Sequence, residues 1–231
     1  LEYYAPAIVL ATGTSLEAKI WVGLQSQQFG RLGEASAKGL SASLMKHGIN
    51  LGRLKTGTPP RVDARSIDYS KTELHPGTRT TDKTKEIILA NLDKSPMYSG
   101  KIHAKGPRYC PSIEDKIVRF ASNPSHHIFL EPEGKSTYEI YVGGFSTSLP
   151  APVQLEMLKT LPGLENVHVI KPAYAVEYDY VPAVQTLHSL MSKNVQGLFF
   201  GGQINGTSGY EEAAAQGLVA GINAVNYINQ K

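Results

Sequence analysis

Three short stretches carry residue types suited to chemistry. Cys110 lies in Arg108-Tyr109-Cys110-Pro111-Ser112-Ile113-Glu114-Asp115-Lys116, just ahead of a helix predicted from Ser112 to Phe120. A thiol near a helix N-terminus and between Arg108 and Lys116 has its pKa lowered and its thiolate fraction raised. That suits a nucleophile, so Cys110 and Lys116 are the candidate catalytic residues. A lone cysteine is more commonly buried and inert, and the residues alone leave both readings open.

The second stretch runs from Gly197 to Gly217. Leu198, Phe199 and Phe200 are an apolar run bounded by glycines, as in a strand covered on both faces. Gly201, Gly202, Gly206 and Gly209 leave room for a close approach or a positive φ. Ser208 is placed to cap the following helix, with Glu211 at the capping-box spacing. The helix start presents unpaired N–H groups and a positive dipole end, where a phosphate or an anionic flavin ring edge is stabilised. A plain strand–helix joint of any α/β domain has the same pattern.

The third stretch is Gly52-Arg53-Leu54-Lys55-Thr56-Gly57-Thr58-Pro59-Pro60-Arg61. Arg53, Lys55, Thr56 and Arg61 make it donor-rich, fit for the phosphates of a nucleotide or a nucleic acid. Its glycine and lysine spacing is not that of a Walker A loop. A solvated strand ending in a proline turn is the blander alternative.

The elements needed to hold these stretches are legible in outline. Ala7 to Leu10 is a buried strand ending in Ala11-Thr12-Gly13-Thr14, the kind of turn found at the carboxyl edge of a parallel sheet. Ser36 is a candidate cap for a helix through Met45 that Gly48 ends. Ser66 to Thr84 is polar, the best candidate for a mobile or shortened loop. Asp82 or Thr84 starts a helix carrying Ile87, Ile88 and Leu92. His126–Gly134 and Glu139–Val142 read as two strands joined by a turn, a helix follows from Val153 to Leu161, and Tyr174, Tyr178 and Tyr180 share one face of a later strand. Adjacent histidines on a strand face opposite ways, which argues against a metal shared by His126 and His127. The pattern is α/β, with strands interrupted by a middle unit.

The 231 residues, with a net charge of +3, suffice for a sizeable core and do not argue for a dedicated nucleic-acid binder. One cysteine excludes an internal disulfide and a thiolate zinc site, and suits a reducing cytosol. No apolar run is long enough to cross a bilayer, and the first residues do not form a signal peptide. The opening Leu1-Glu2-Tyr3-Tyr4 lacks an initiator Met and looks like part of something longer.

The peptides GRLKTGTPPR, PRYCPSIEDK, IFLEPEG and GQINGTSGYEEAAAQG resemble the MnmG (also called GidA) family, flavoproteins that modify the wobble uridine of certain tRNAs. The resemblance implies a glutathione-reductase-like FAD/NAD(P)-binding Rossmann domain, present in part, with an inserted α/β domain. Residues 1–52 would belong to the FAD domain, 53–105 to the insertion associated with NADH and tRNA, and 106–231 to the return into the FAD domain. Thr12, Gly13 and Thr14 would lie beside FAD. Gly201, Gly202, Gln203 and Gly209 would cradle its ribityl and pyrophosphate region, and the helix start with Glu212 would face the ring. Cys110 matches one of two functional cysteines. The implied function is addition of an aminomethyl or carboxymethylaminomethyl group to C5 of uridine. FAD, NADH and methylenetetrahydrofolate are the implied cofactors, and tRNA, an MnmE-type GTPase and a second copy of the chain the implied partners, in the cytoplasm. The alternatives are the related folate- and FAD-dependent tRNA uridine methyltransferase and a non-catalytic tRNA-binding fragment. The sequence departs from the family in lacking the first GxGxxG fingerprint, the other cysteine and the C-terminal helical domain. It is also short between Ser70 and Thr78, and unusual at Thr14-Ser15-Leu16-Glu17.

Overall fold

The computed structural model describes residues 1–73, 77–104 and 111–230. The chain opens with β1 (Ile8–Leu10), β2 (Lys19–Val22), β3 (Gln25–Gln27), β4 (Phe29–Arg31), β5 (Glu34–Ala35) and α1 (Leu40–Lys46). The middle holds β6 (Gly52–Thr58), β7 (Arg61–Asp63), β8 (Gly77–Arg79), α2 (Asp82–Ala90), α3 (Ile113–Arg119), β9 (His127–Pro132) and β10 (Glu139–Gly143). The chain closes with α4 (Ala151–Leu158), β11 (Val169–Lys171), β12 (Tyr174–Tyr180), β13 (Leu198–Phe200) and α5 (Tyr210–Ile228).

The two ends of the chain meet in a parallel pair, with Ile8 beside Leu198 and Leu10 beside Phe200. Because the strands are parallel, the turns after them, Ala11–Thr14 and Gly201–Gly202, emerge at one edge, where open α/β sheets take ligands. α5 lies against β13 through Ala220 and Ala224, which pack on Phe199. The expectation of full burial holds for Phe199 and Phe200 but not for β1, where Ile8 is 51% and Val9 37% exposed. Among the described residues, β1 has a strand neighbour on one side only.

The middle of the chain forms an antiparallel sheet in the order β11-β7-β10-β9-β8. Strand alternation is plain here: Ile128, Leu130, Ile140 and Val142 point into a core shared with Ile87 and Ile88 of α2, Ile113 and Ile117 of α3, and Met157 of α4. Each such side chain, fully removed from water, contributes about 1.5–3 kcal/mol. The expected boundary at 105/106 falls inside this unit, since β7 and β8 precede it while β9, β10 and β11 follow it.

A second antiparallel sheet, β3-β2-β12-β6, sits between the parallel pair and the middle unit in the chain path. In β12, Tyr174, Val176 and Tyr178 face one way, with Ala18 and Ile20. Ala175 faces the other, with Trp21, Ile102 and Ala104. The tyrosine stripe is thus largely core.

Two local expectations are corrected. The first helix begins at Leu40, not at Ser36, because Ala37 is already engaged: its N–H donates to Ser15 O (2.8 Å) and its carbonyl accepts from Glu17 N–H (2.9 Å). Gly39 then turns through φ 89° into the helix. The polar run after Ser66 is not a bare loop. Asp63 and Asp68 accept the N–H groups of Arg65 (2.9 Å) and Ser70 (3.2 Å) and so nucleate 3-10 turns at Ala64–Ser66 and Tyr69–Lys71, before β8 and α2.

Candidate functional site

A cleft of about 980 Å³ opens where the parallel pair meets the two antiparallel sheets. Thr56, Gly57 and Thr58 of β6 and Tyr174, Val176 and Tyr178 of β12 line it. So do Gly13, Thr14 and Ser15 after β1, and Gln203, Thr207, Ser208 and Gly209 ahead of α5. Arg61, Glu133, Glu139, Tyr141 and Lys171 border it from the five-stranded sheet. The structure therefore brings Gly13, Thr14, Thr56, Arg61, Gln203 and Gly209, six of the residues singled out in the sequence, to one cavity.

The turn before α5 is shaped by its glycines. Gly201 packs so closely on α5 that a Cβ there would lie 3.1 Å from the Gly217 Cα. Gly202 takes φ +81° and Gly206 φ +83°, the left-handed region. The cap is not the predicted one. Gly209, extended, is the N-cap of α5 and makes no side-chain cap bond. That shifts the helix frame by one residue, so the partner of Ser208 is Glu212 rather than Glu211. The Ser208 hydroxyl and N–H donate to Glu212 Oε1 at 2.9 and 3.1 Å. The Ser208 hydroxyl, followed by backbone N–H groups, lowers the Glu212 carboxyl below its usual range. With Glu211 and Glu212 in its first turn, α5 already carries acids at its positive end, so a phosphate there would meet two carboxylates. Glu212 acts on the cleft through Ser208 and is not itself among its lining residues.

Several buried polar atoms around the two turns lack a hydrogen-bond partner among the described residues: Thr12 Oγ1, Thr207 Oγ1 and Asn205 Oδ1. Leaving such a group unpaired costs about 1–3 kcal/mol. Gly13, at φ +58°, has nothing within 4 Å of where a Cβ would sit. Unsatisfied hydroxyls, open space at a glycine turn and aromatic rings from β12 fit a bulky, polar-edged, planar ligand such as the flavin part of FAD.

Arg53 and Lys55 are not brought to the cleft, because residues two apart share a strand face and theirs is opposite to that of Thr56 and Thr58. Arg53 Nη1 donates to Asp179 Oδ1 (2.8 Å) and Glu17 O (2.9 Å), and its Nη2 lies 3.4 Å from Glu177 Oε2. Lys55 is buried. Neither side chain lines the cleft, and Arg53 is engaged by two carboxylates of its own chain. Arg61 does reach the cleft but is also engaged. Its Nε donates to Glu133 Oε1 (2.7 Å), its Nη1 to Pro59 O (2.7 Å) and to Thr58 Oγ1, and its guanidinium lies over the Tyr141 ring. Lys171 Nζ is likewise paired, 2.8 Å from Glu139 Oε1. Glu133, Glu139 and Lys171 were not anticipated as site residues. Glu133 directly follows β9, Glu139 opens β10 and Lys171 ends β11, and only the sheet register places them together.

Cys110 lies outside the described residues. Lys116 is in α3, where its ammonium donates to Gly144 O at 3.0 Å. The helix lies where the sequence predicts it, and Ser112 and Asp115 cap it by exchanging hydrogen bonds. Among the described residues no group of His, Cys, Asp and Glu could hold a metal, and no helix is long and apolar enough to cross a membrane.

The family model described as glucose inhibited division protein A matches residues 1–231. The chain is 55% identical to the tRNA uridine 5-carboxymethylaminomethyl modification enzyme MnmG of Synechocystis, over 98% of this chain and 40% of that protein. It is 52% identical to the MnmG of Protochlamydia amoebophila, over 100% of this chain and 41% of that protein. GidA from Aquifex aeolicus, in its form I crystal, superposes with a TM-score of 0.90 at 47% identity, covering 97% of this chain and 42% of that one. The chain thus spans about two fifths of the length of these relatives. With the whole of it matched by one family model and by relatives of the same name, the chain belongs to the GidA (MnmG) family.

Proposed function

We propose that this chain forms the distal part of the FAD site and an inserted unit of a flavoenzyme that modifies C5 of the wobble uridine in tRNA. The observation that supports it most directly is the cleft beside the turns of a parallel strand pair, lined by Gly13, Thr14, Gln203 and Gly209 and by Thr207, whose buried hydroxyl is unpaired among the described residues. The relatives' name supplies the reaction class, 5-carboxymethylaminomethyl modification of tRNA uridine, and an aminomethyl product belongs to the same proposal. On this reading Gly13, Thr14, Gln203 and Gly209 hold the flavin edge, and Gly201 and Gly202 let the backbone come close. Ser208, fixed by Glu212, presents its remaining lone pairs to the cleft. When bound, FAD supplies the redox chemistry, with NADH as reductant and methylenetetrahydrofolate as carbon source.

The chain's own part in the chemistry is assigned to Cys110. A thiolate adding to C6 of uridine pushes the ring electrons toward C5 and makes that carbon nucleophilic. After C5 is alkylated, loss of its proton expels the thiolate and restores the ring. Lys116 is assigned a supporting catalytic role in the same segment. The inserted unit is placed from Pro59 to about Lys171, following the five-stranded sheet rather than a boundary at 105. A tRNA substrate, an MnmE-type GTPase partner, a homodimer and a cytoplasmic setting complete the proposal. The visible spectrum of the purified full-length protein tests it: a yellow protein whose absorbance near the flavin band is bleached by NADH is expected. A colourless protein that takes up no added FAD overturns it.

A further inference from the structure

Tyr174 opens β12 opposite Thr58 of β6 and lines the cleft, with only 7% of its surface exposed. Its ring packs with Ala18, Ile20, Val176 and Tyr178, and its hydroxyl meets the tip of the β4–β5 hairpin. There the Leu32 N–H donates to the phenol oxygen at 3.3 Å, across 142 positions of sequence. Gly30, Arg31, Leu32 and Glu34 of the same hairpin also line the cleft. The hydroxyl thus serves as an acceptor, and its own hydrogen has no acceptor among the described residues. The carboxylates that border the cleft, Glu133 and Glu139 among them, do not receive it.

A buried tyrosine hydroxyl normally finds a hydrogen-bond partner, and it can donate as well as accept. A buried donor left unused is costly. The Leu32 N–H points at the phenol oxygen and repels the hydroxyl hydrogen from its own side. Because Tyr174 lines the cleft, the acceptor is left to come from what the cleft binds. The neighbouring lining of Thr58, Val176 and Tyr178 combines apolar surface, a ring and a hydroxyl, which suits the edge of a planar heterocycle. A donor held in a fixed place selects a carbonyl oxygen over an amino group, which would oppose donor to donor. The pyrimidinedione ring carries such carbonyls, in uracil and in the flavin alike.

We propose that the Tyr174 hydroxyl, set by Leu32, donates a hydrogen bond to a carbonyl oxygen of a pyrimidinedione ring held in the cleft. The ring is the flavin's or the target uracil's, so the assignment rests on the flavoenzyme reading above.

The test uses the full-length protein with Tyr174→Phe and with 3-fluorotyrosine incorporated at position 174. Fluorine makes a phenol a stronger donor and a poorer acceptor, so the two uses of the hydroxyl respond with opposite sign. FAD affinity of the apoprotein, the flavin midpoint potential and the affinity for tRNA are measured for each. With the flavin as the ring, Tyr174→Phe binds FAD about fivefold more weakly, for one lost hydrogen bond. Its midpoint potential falls as well, because a donor at the carbonyl favours the electron-rich reduced ring. The fluorinated protein shifts both the other way. With uracil as the ring, the FAD values stay put and tRNA affinity follows that pattern instead. Either result supports the donor. Weaker binding in both variants, with a lower apoprotein melting temperature in both, marks a hydroxyl that only holds the hairpin and overturns the proposal. Two variants that bind FAD and tRNA like the parent overturn it too. A parent protein that takes up no FAD fails the flavoenzyme reading instead, and tRNA affinity compared across the same variants still decides Tyr174.

Discussion

Gly201 and Gly217 face each other across the contact between β13 and α5, so close that a Cβ on Gly201 would lie 3.1 Å from the Gly217 Cα. Neither the strand nor the helix can move back without opening the Phe199–Ala220–Ala224 contact beside it. Gly201→Ala should therefore cost about 1–3 kcal/mol, as overpacking does, and should displace the turn that follows. Thermal melting and FAD uptake of the full-length variant measure both, and an unchanged melting temperature would refute the tight contact.

The hydroxyl of Thr207 is buried beside the cleft with no partner among the described residues. Thr207→Val keeps the shape and removes the unpaired group. The variant is expected to melt at or above the parent without FAD, because the unsatisfied hydroxyl cost about 1–3 kcal/mol. It should also bind FAD more weakly by roughly 1 kcal/mol, or about fivefold, for one lost hydrogen bond. Calorimetric titration of the apoprotein reads this out, and equal affinity would remove Thr207 from the ligand site.

Gln154 is a buried polar side chain of a different kind, with its amide fully used. Its Nε2 donates to Leu149 O (2.7 Å) and Ala173 O (3.0 Å), and its Oε1 accepts from Ala173 N–H (2.7 Å). It joins α4 to the segment entering β12. Gln154→Leu fills the same space but strands one N–H and two carbonyls, so a loss of about 2–4 kcal/mol is expected. Denaturant unfolding should show a lower midpoint with little change of slope.

His126 gives a pH prediction. Burial, followed by the charges of Lys116 and Lys85, holds its imidazole below the ordinary 6.5. Below pH 6.5 the unfolded chain binds a proton that the folded chain resists, so stability from this group is intact above 6.5 and declines as the pH falls through it. His126→Leu should flatten the fall in melting temperature between pH 7 and pH 5. The same slope in variant and parent would discount His126.

Much of this was legible before the structure because it is local. The α3 cap needs only Ser112 and Asp115, and the positions of β9, β10 and β13 follow from short apolar runs between turn residues. The glycine turn was legible as a turn, but its frame was off by one residue. Serine outranks glycine as a cap by propensity, and the tight Gly201–Gly217 contact that sets the helix start is long-range. Arg53 read as a free cation because its partners, Asp179 and Glu177, lie 126 and 124 positions away in sequence. The acidic residues bordering the cleft were missed for the same reason, since only sheet register brings Glu133 and Glu139 beside Arg61 and Lys171.

The parallel pair sets a timetable for the chain during synthesis. Ile8 waits for Leu198, 190 positions later. At ordinary translation rates that is on the order of 10–40 s for the intervening stretch. The antiparallel unit from Arg61 to Lys171 closes within itself and can fold on the ribosome meanwhile, whereas β1 stays without its β13 partner. A holdase that shields an extended apolar segment should therefore engage the nascent chain at Ile8–Leu10 and leave when Phe200 emerges.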